Sequence, residues 1–334
     1  MTEEQPLPFC GRDDTPRSRA AEGAFSWRDA ADGDRAGGEE FWRAYRALDE
    51  EFGPRGELEI PDDLLWEMYD RRPDDRWDIR YHLLNFYEGH GPDAPLAAVR
   101  DCYTMAQPRA GIVVVFLSHA IVLPAYRRTG LGPLIRTLPA RLGREAAANL
   151  GMEGAEILLL AEMDPIDPAS DPTLIRMKAY GGSGFSFLPP RWLPYAQPDF
   201  SDWQRGGRDP APVPLVLVTR RLGHEGAAEI PARLAWALYD SIDELHRTAT
   251  PEDTAARRAF AEAVMADHAP PGDAVKNVPL IGVDPADPAR LEPLLRANVL
   301  PFLPRRLSGT EGQPAGDPRE ELARLIAWQG WRRG

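Results

Sequence analysis

Two glycines and two arginines stand in the spacing Arg127-Arg128-Thr129-Gly130-Leu131-Gly132, after an apolar stretch and before a run with helical periodicity. The order strand, glycine loop, helix start suits the binding of phosphate. N–H groups in a helix's first turn have no partner inside the helix, and the helix dipole favours negative charge there. Glycine lets the backbone approach an oxygen where a Cβ would collide. Arg127, Arg128, Arg136, Arg141 and Arg144 gather here in a chain whose 52 Asp+Glu outnumber its 39 Lys+Arg. Taken alone, Gly130 and Gly132 fit a plain tight turn equally well. Further reactive side chains lie close by in sequence. His119, with its near-neutral titration, ends the first apolar stretch, and Glu162 ends a second. Tyr180-Gly181-Gly182-Ser183-Gly184-Phe185 falls one element later.

The elements that would position these residues can be read outward from the loop. Ile112 to Leu117 has no alternation and reads as a strand buried on both faces, stopped by Pro124. Leu134, Ile135, Leu138, Leu142 and Ala146 form the buried stripe of the following helix. Pro133 is expected at its first position, where it removes one N–H, and Pro139 is expected to kink or interrupt it. Glu156 to Glu162 is the next strand, Leu174 to Tyr180 a short helix, Phe185 to Leu188 a strand, and Val213 to Thr219 a final strand closing the sheet. Upstream, Phe41, Trp42, Tyr45, Leu48 and Phe52 mark a helix ended by Gly53-Pro54. Leu64, Leu65, Met68 and Tyr69 mark a second, begun by Pro61-Asp62-Asp63. Ile79 to Tyr87 and Leu96 to Thr104 read as strands. Antiparallel hairpins feeding a central strand argue for an α+β sheet. The Rossmann alternative needs Gly-x-Gly-x-x-Gly, whereas this loop is Arg-x-x-Gly-x-Gly.

Composition bounds the rest. The 334 residues allow two domains. Residues 1–38 are polar and read as a flexible acidic arm, with Phe25 and Trp27 as docking side chains. Residues 39–220 carry the elements above. Residues 221–307 read as a helical extension, with stripes at Leu234, Ala235, Leu238, Ile242 and Leu245, at 255–266, and at Leu291 to Val299. It would pack on the first domain or serve a homodimer. Residues 308–334 read as a linker and a short terminal helix carrying Trp328 and Trp331. A net charge of −13 argues against nucleic acid and anionic membrane as partners. No apolar run reaches the ~18 residues a membrane span requires. The first residues lack the pattern of a signal peptide, and two cysteines make neither a disulfide frame nor a zinc site. The expectation is a cytoplasmic protein without a metal.

Arg127-x-x-Gly130-x-Gly132 resembles the acyl-CoA pyrophosphate loop of the GNAT acyltransferase superfamily. Val122-x-Pro124-x-Tyr126-Arg127 is similar to that family's approach to the loop, and Tyr180-x-x-x-Gly184-Phe185 to its later Tyr-x-x-x-Gly-Phe motif. The similarity covers roughly 41–220. It implies a mixed, mostly antiparallel GNAT-like sheet flanked by helices, and acetyl-CoA or another acyl-CoA as co-substrate. It further implies that Val122 and Leu123 hold the pantetheine arm with backbone groups, that Arg127, Arg128, Thr129, Gly130, Leu131 and Gly132 bind the diphosphate, and that Tyr180 protonates the departing thiolate. Helices around Trp42, Tyr45 and Trp66 would roof the acceptor pocket.

Acylation of an amine also needs a base. Many members of the family carry a glutamate early in the central strand, but 113–118 has no carboxylate here. Glu162 is the first candidate, His119 the second, and a water chain could replace both. Thr173 stands where the family often has asparagine. The acceptor is a small-molecule or peptide amine. Asp164, Asp167 and Asp171 would suit a cationic one, and the loop around Trp192 and Tyr195 an apolar one. Two alternatives stand beside the enzyme. One is a catalytically silent GNAT-fold module that binds CoA or acts in assembly or regulation. The other is a nucleotide-binding protein, disfavoured by the lack of a Walker lysine after Gly132.

Overall fold

The computed structural model describes residues 7–32, 37–55, 58–69, 76–91, 93–163, 171–190, 192–193, 195–198, 212–248 and 274–282. Its frame is an eight-stranded, mostly antiparallel sheet flanked by helices, the α+β class expected. The strands are β1 (Phe25–Asp29), β2 (Asp78–Glu88), β3 (Leu96–Gln107), β4 (Ile112–Val122), β5 (Glu156–Met163), β6 (Ser186–Phe187), β9 (Val216–Arg221) and β12 (Ile281–Gly282). Their order is β1-β2-β3-β4-β5-β9-β6-β12, and only β4 and β5 run parallel. β7 (Ala196–Pro198) pairs with β8 (Pro212–Pro214), and β10 (Glu229–Pro231) with β11 (Asn277–Pro279).

Helices cover both faces. On one lie α1 (Pro16–Ala24), α4 (Leu131–Asn149) and α5 (Asp171–Gly182), with Ala21, Leu134, Leu138 and Met177 in the core. On the other lie α2 (Glu39–Phe52), α3 (Pro61–Tyr69) and α6 (Ala232–Thr248), with Phe41, Leu48, Leu64, Leu234 and Leu238. The spacing of Phe41, Ala44 and Leu48 puts all three on the core side of α2, and Glu39 and Glu40 meet the positive end of its dipole. α4 comes unusually close to the sheet at Gly143, where a Cβ would lie 2.7 Å from Val115 Cγ2. The crossover from β4 to β5 leaves no room for a side chain there.

Four expectations need correction. Residues 7–32 are not a flexible arm. Thr15 caps α1 by accepting from the Ser18 N–H at 3.1 Å, Pro16 begins the helix, and β1 then pairs with β2 from Phe25↔Glu88 to Asp29↔Leu84. The apolar side chains that decide this are few but well placed: Leu7, Phe9, Ala21 and Phe25 are all buried. Second, residues beyond 221 are not simply helical, since β12 joins the main sheet beside β6. α6 is bound to the sheet through the buried Trp77, whose Nε1 donates to Asp240 at 2.9 Å. Third, the strand read over 213–219 does not close the sheet, because β9 lies between β5 and β6. Fourth, Pro133 is the third residue of α4, so Leu131 and Gly132 keep their N–H groups, and the helix runs on through Pro139. The helices expected at 255–266 and 291–299, and everything from 308 on, lie outside the described residues.

Candidate active site

β4 and β5 share rungs from Ile112↔Glu156 to Leu117↔Ala161 and then part. β4 stays with β3, while Glu162 and Met163 of β5 stay with β9. Glu162 is therefore the first residue of β5 past the last rung, at the apex of a gap whose other edge is 118–122. On that edge β4 bulges: Arg100 pairs with Ala120 but Cys102 with Leu117, so Asp101 alone faces both Ser118 and His119. Beyond the bulge, Leu123 donates its N–H to Ala97 at 3.0 Å. The ladder's alternation turns the peptide groups of Ala120 and Val122 the other way, into the gap.

On the α4 side, the gap leads to the loop 127–132. Arg128 has φ of 68° and Gly130 φ of 98°, both in the left-handed region. Gly130 is the N-cap of α4, and a Cβ there would stand 2.8 Å from the Arg17 carbonyl oxygen of α1. Glycine is thus required by conformation and by space. The N–H groups of Arg127 and Thr129 are spent on Pro124 and Tyr126, both at 3.4 Å. Among the described residues those of Arg128, Gly130, Leu131 and Gly132 have no acceptor, and they open at the positive end of α4. Leu123 leaves the expected set: its N–H goes to Ala97 and its carbonyl accepts from Tyr126 at 2.9 Å. Val122 remains, although its carbonyl accepts from Arg127 Nε at 3.3 Å. Arg127 and Arg128 are exposed.

On the α2 and α6 side, the gap holds the two expected bases together. His119 Nδ1 lies 3.1 Å from Asp101 Oδ2, and the His119 backbone N–H donates to Asp101 Oδ1 at 2.5 Å. Its ring packs 4.8 Å from that of Phe52 at the end of α2. Glu162 accepts from the Tyr195 hydroxyl, which also lies 2.9 Å from His246 Nε2 on α6. Burial pushes the Glu162 carboxyl up to about 7; the Tyr195 hydrogen bond and the nearby His119 pull it down, and Glu59 pushes it up again. Burial, then the Glu162 charge, holds the Tyr195 phenol well above its ordinary range.

Tyr180 lies on the α4 face. Its ring meets Phe185 edge-on at 5.0 Å, and among the described residues its half-buried hydroxyl has no hydrogen-bond partner. Sequence reasoning missed Asp101, Phe52 and His246, and read Tyr195 as loop. Each joins the site through contacts 18 to 67 positions from its partner, with no local signature. The side chains of Trp66 and Asp171, and all of Asp164 and Asp167, lie outside the described residues. Among those described, no group of three or more His, Cys, Asp or Glu could hold a metal ion, and no helix is long and apolar enough to cross a membrane.

No family model matches the sequence, and no curated protein does. Among solved structures, the chain is similar to a tandem GNAT protein from the clavulanic acid biosynthesis pathway, in a structure without AcCoA. Identity is 16% and the TM-score 0.35, over 71% of this chain and 63% of that one. It therefore spans less than two thirds of that protein's length. It is also similar to an aminoglycoside 6'-N-acetyltransferase complexed with coenzyme A, at 11% identity and TM-score 0.29, over 59% of this chain and 97% of that one.

Proposed function

We propose that the protein is an acyl-CoA-dependent N-acyltransferase, using acetyl-CoA, that acylates a small-molecule or peptide amine by direct attack in a ternary complex. The observation that carries this reading is Glu162 at the apex of the β4–β5 gap, with free helix N–H groups on one side and the His119–Asp101 and Tyr195 groups on the other. The donor's diphosphate would lie on the N–H groups of Gly130, Leu131 and Gly132, with Arg127 and Arg128 alongside. Its pantetheine arm would run along Ala120 and Val122, whose peptide groups face the gap. Glu162, with a carboxyl near 7, takes a proton from the acceptor ammonium at neutral pH. His119, held by Asp101, adds positive field beside the carboxylate when protonated and is the alternative base. The amine then attacks the thioester carbon; as the C–S bond breaks, the Tyr180 phenol protonates the thiolate and is restored by the second N–H proton of the adduct, leaving the amide and a free thiol.

The test is heat stability with acetyl-CoA, desulfo-CoA and ATP, followed by thiol release across a panel of amines. Both CoA ligands should raise the midpoint, by a few kcal/mol of stabilisation at saturation, and ATP should not. Thiol release should depend on the amine. Tyr180→Phe should keep CoA binding and lower turnover about tenfold or more; unchanged turnover removes Tyr180 from the mechanism. A silent CoA-binding module is the second reading, favoured by the lack of a carboxylate in 113–118 of β4. It is upheld if CoA stabilises the protein and no amine releases thiol.

A further inference from the structure

We propose that Tyr195 and His246 form a proton relay that carries the acceptor's proton from Glu162 to the partly exposed ring of His246 on α6. The relay rests on the reading of Glu162 as the base. Tyr195 has one hydroxyl hydrogen and two partners, Glu162 Oε1 on β5 and His246 Nε2 at 2.9 Å on α6. Tyr195 is buried at 6% exposure, while His246 is partly exposed, so the three groups run from the interior outward.

The steps balance as follows. An N–H bond of the acceptor breaks as the Glu162 O–H bond forms. That O–H then passes its proton to the Tyr195 oxygen while the original phenol hydrogen passes to the Nε2 lone pair of a neutral His246. The imidazolium so formed releases a proton to solvent, and Glu162 is again a carboxylate. Burial keeps the Tyr195 phenol from ionising, so it conducts a proton without storing charge. Among the described residues, the other charged or titratable groups facing this line include His119 with Asp101 behind it, Glu59 before α3, and Asp243 and Tyr239 on α6.

Two measurements test the relay. The first needs no substrate. In protein labelled with nitrogen-15 at histidine, the His246 ring shift should show a step that follows Glu162 ionisation, and the step should vanish in Glu162→Gln and in Tyr195→Phe. The second uses turnover. His246→Gln keeps an N–H to face Tyr195 but cannot take up a proton. It should lower kcat about tenfold or more, less than the roughly 10²- to 10⁴-fold of a group that takes the reacting proton itself, with the acceptor KM unchanged. Added imidazole should restore part of the loss in His246→Ala. A wild-type His246 signal with no such step, or His246→Gln turning over at the wild-type rate, overturns the relay. A chain that shows the step yet releases no thiol with any amine overturns the acyltransferase reading and upholds the Glu162–Tyr195–His246 coupling.

Discussion

Glu162→Gln is expected to lower kcat/KM for amine acylation by roughly 10²- to 10⁴-fold, the range that a positioned acid–base group contributes. Glutamine keeps the shape and can still accept from Tyr195, but it cannot take the acceptor's proton. In the wild-type enzyme kcat/KM should rise with pH through about 7, where the Glu162 carboxyl ionises. The variant should lose that limb. Stability should move the opposite way. The carboxyl's ordinary value is 4.5 and its folded value about 7, so between these the native state holds a proton that the unfolded chain has released. Folding stability therefore declines as pH rises across that window, by on the order of 3 kcal/mol. Glu162→Gln escapes the decline and should be the more stable protein above pH 7. A denaturant midpoint measured at pH 5 and pH 8 for both chains checks the sign. A variant that is as active as the wild type would return the role of base to His119 or to water.

Asp13→Ala is expected to have the largest effect on stability, about 3–5 kcal/mol. Asp13 is 5% exposed and receives both Arg136 Nε at 3.1 Å and Arg136 Nη2 at 2.7 Å, with the Ser183 hydroxyl donating to the same carboxylate. Removing it leaves a largely buried guanidinium without its charge partner, the costly way to break such a pair. The damage should reach the donor side. Asp13 joins the second turn of α4, just behind the loop 127–132, to Ser183, the residue after α5, within one turn of Tyr180. The midpoint should fall with little change in slope, and CoA binding should weaken. Asp13→Ala combined with Arg136→Met should cost less than the sum of the two, because no buried charge is then stranded.

The parts of this structure that declared themselves in sequence are those set by local pattern. The unalternating run 112–117 had to be a strand covered on both faces, and Phe41, Tyr45, Leu48 and Phe52 had to share one side of a helix, whereas Trp42, read in the same stripe, is exposed. Glu162 and His119 were legible as candidates because each stood where an apolar stretch ended. Their convergence was not legible, because it depends on a bulge at 118–119 and on the rung at which β4 and β5 part. Tyr195 and His246 come from a proline-rich segment and from the last turns of α6, and nothing nearby in sequence marks them. The amino-terminal segment was misread for a different reason. Its average composition is that of an unstructured chain, while its order rests on a capping threonine, a handful of apolar side chains and Asp13, whose partner lies 123 positions away. The Thr15-Pro16 start of α1 and the alternation of Phe25 and Trp27 were the signals available.

The bulge has a consequence for comparing relatives of this chain. Because the rungs on either side of it, Cys102↔Leu117 and Arg100↔Ala120, are both regular, one residue can be gained or lost there without shifting any pair above or below. A homologue lacking it should align with a single gap at 118–119 and otherwise keep its sheet. It would have one position opposite Asp101 where this chain has two, and no room for both a serine and a histidine. Presence or absence of that gap would sort homologues by the chemistry they can perform.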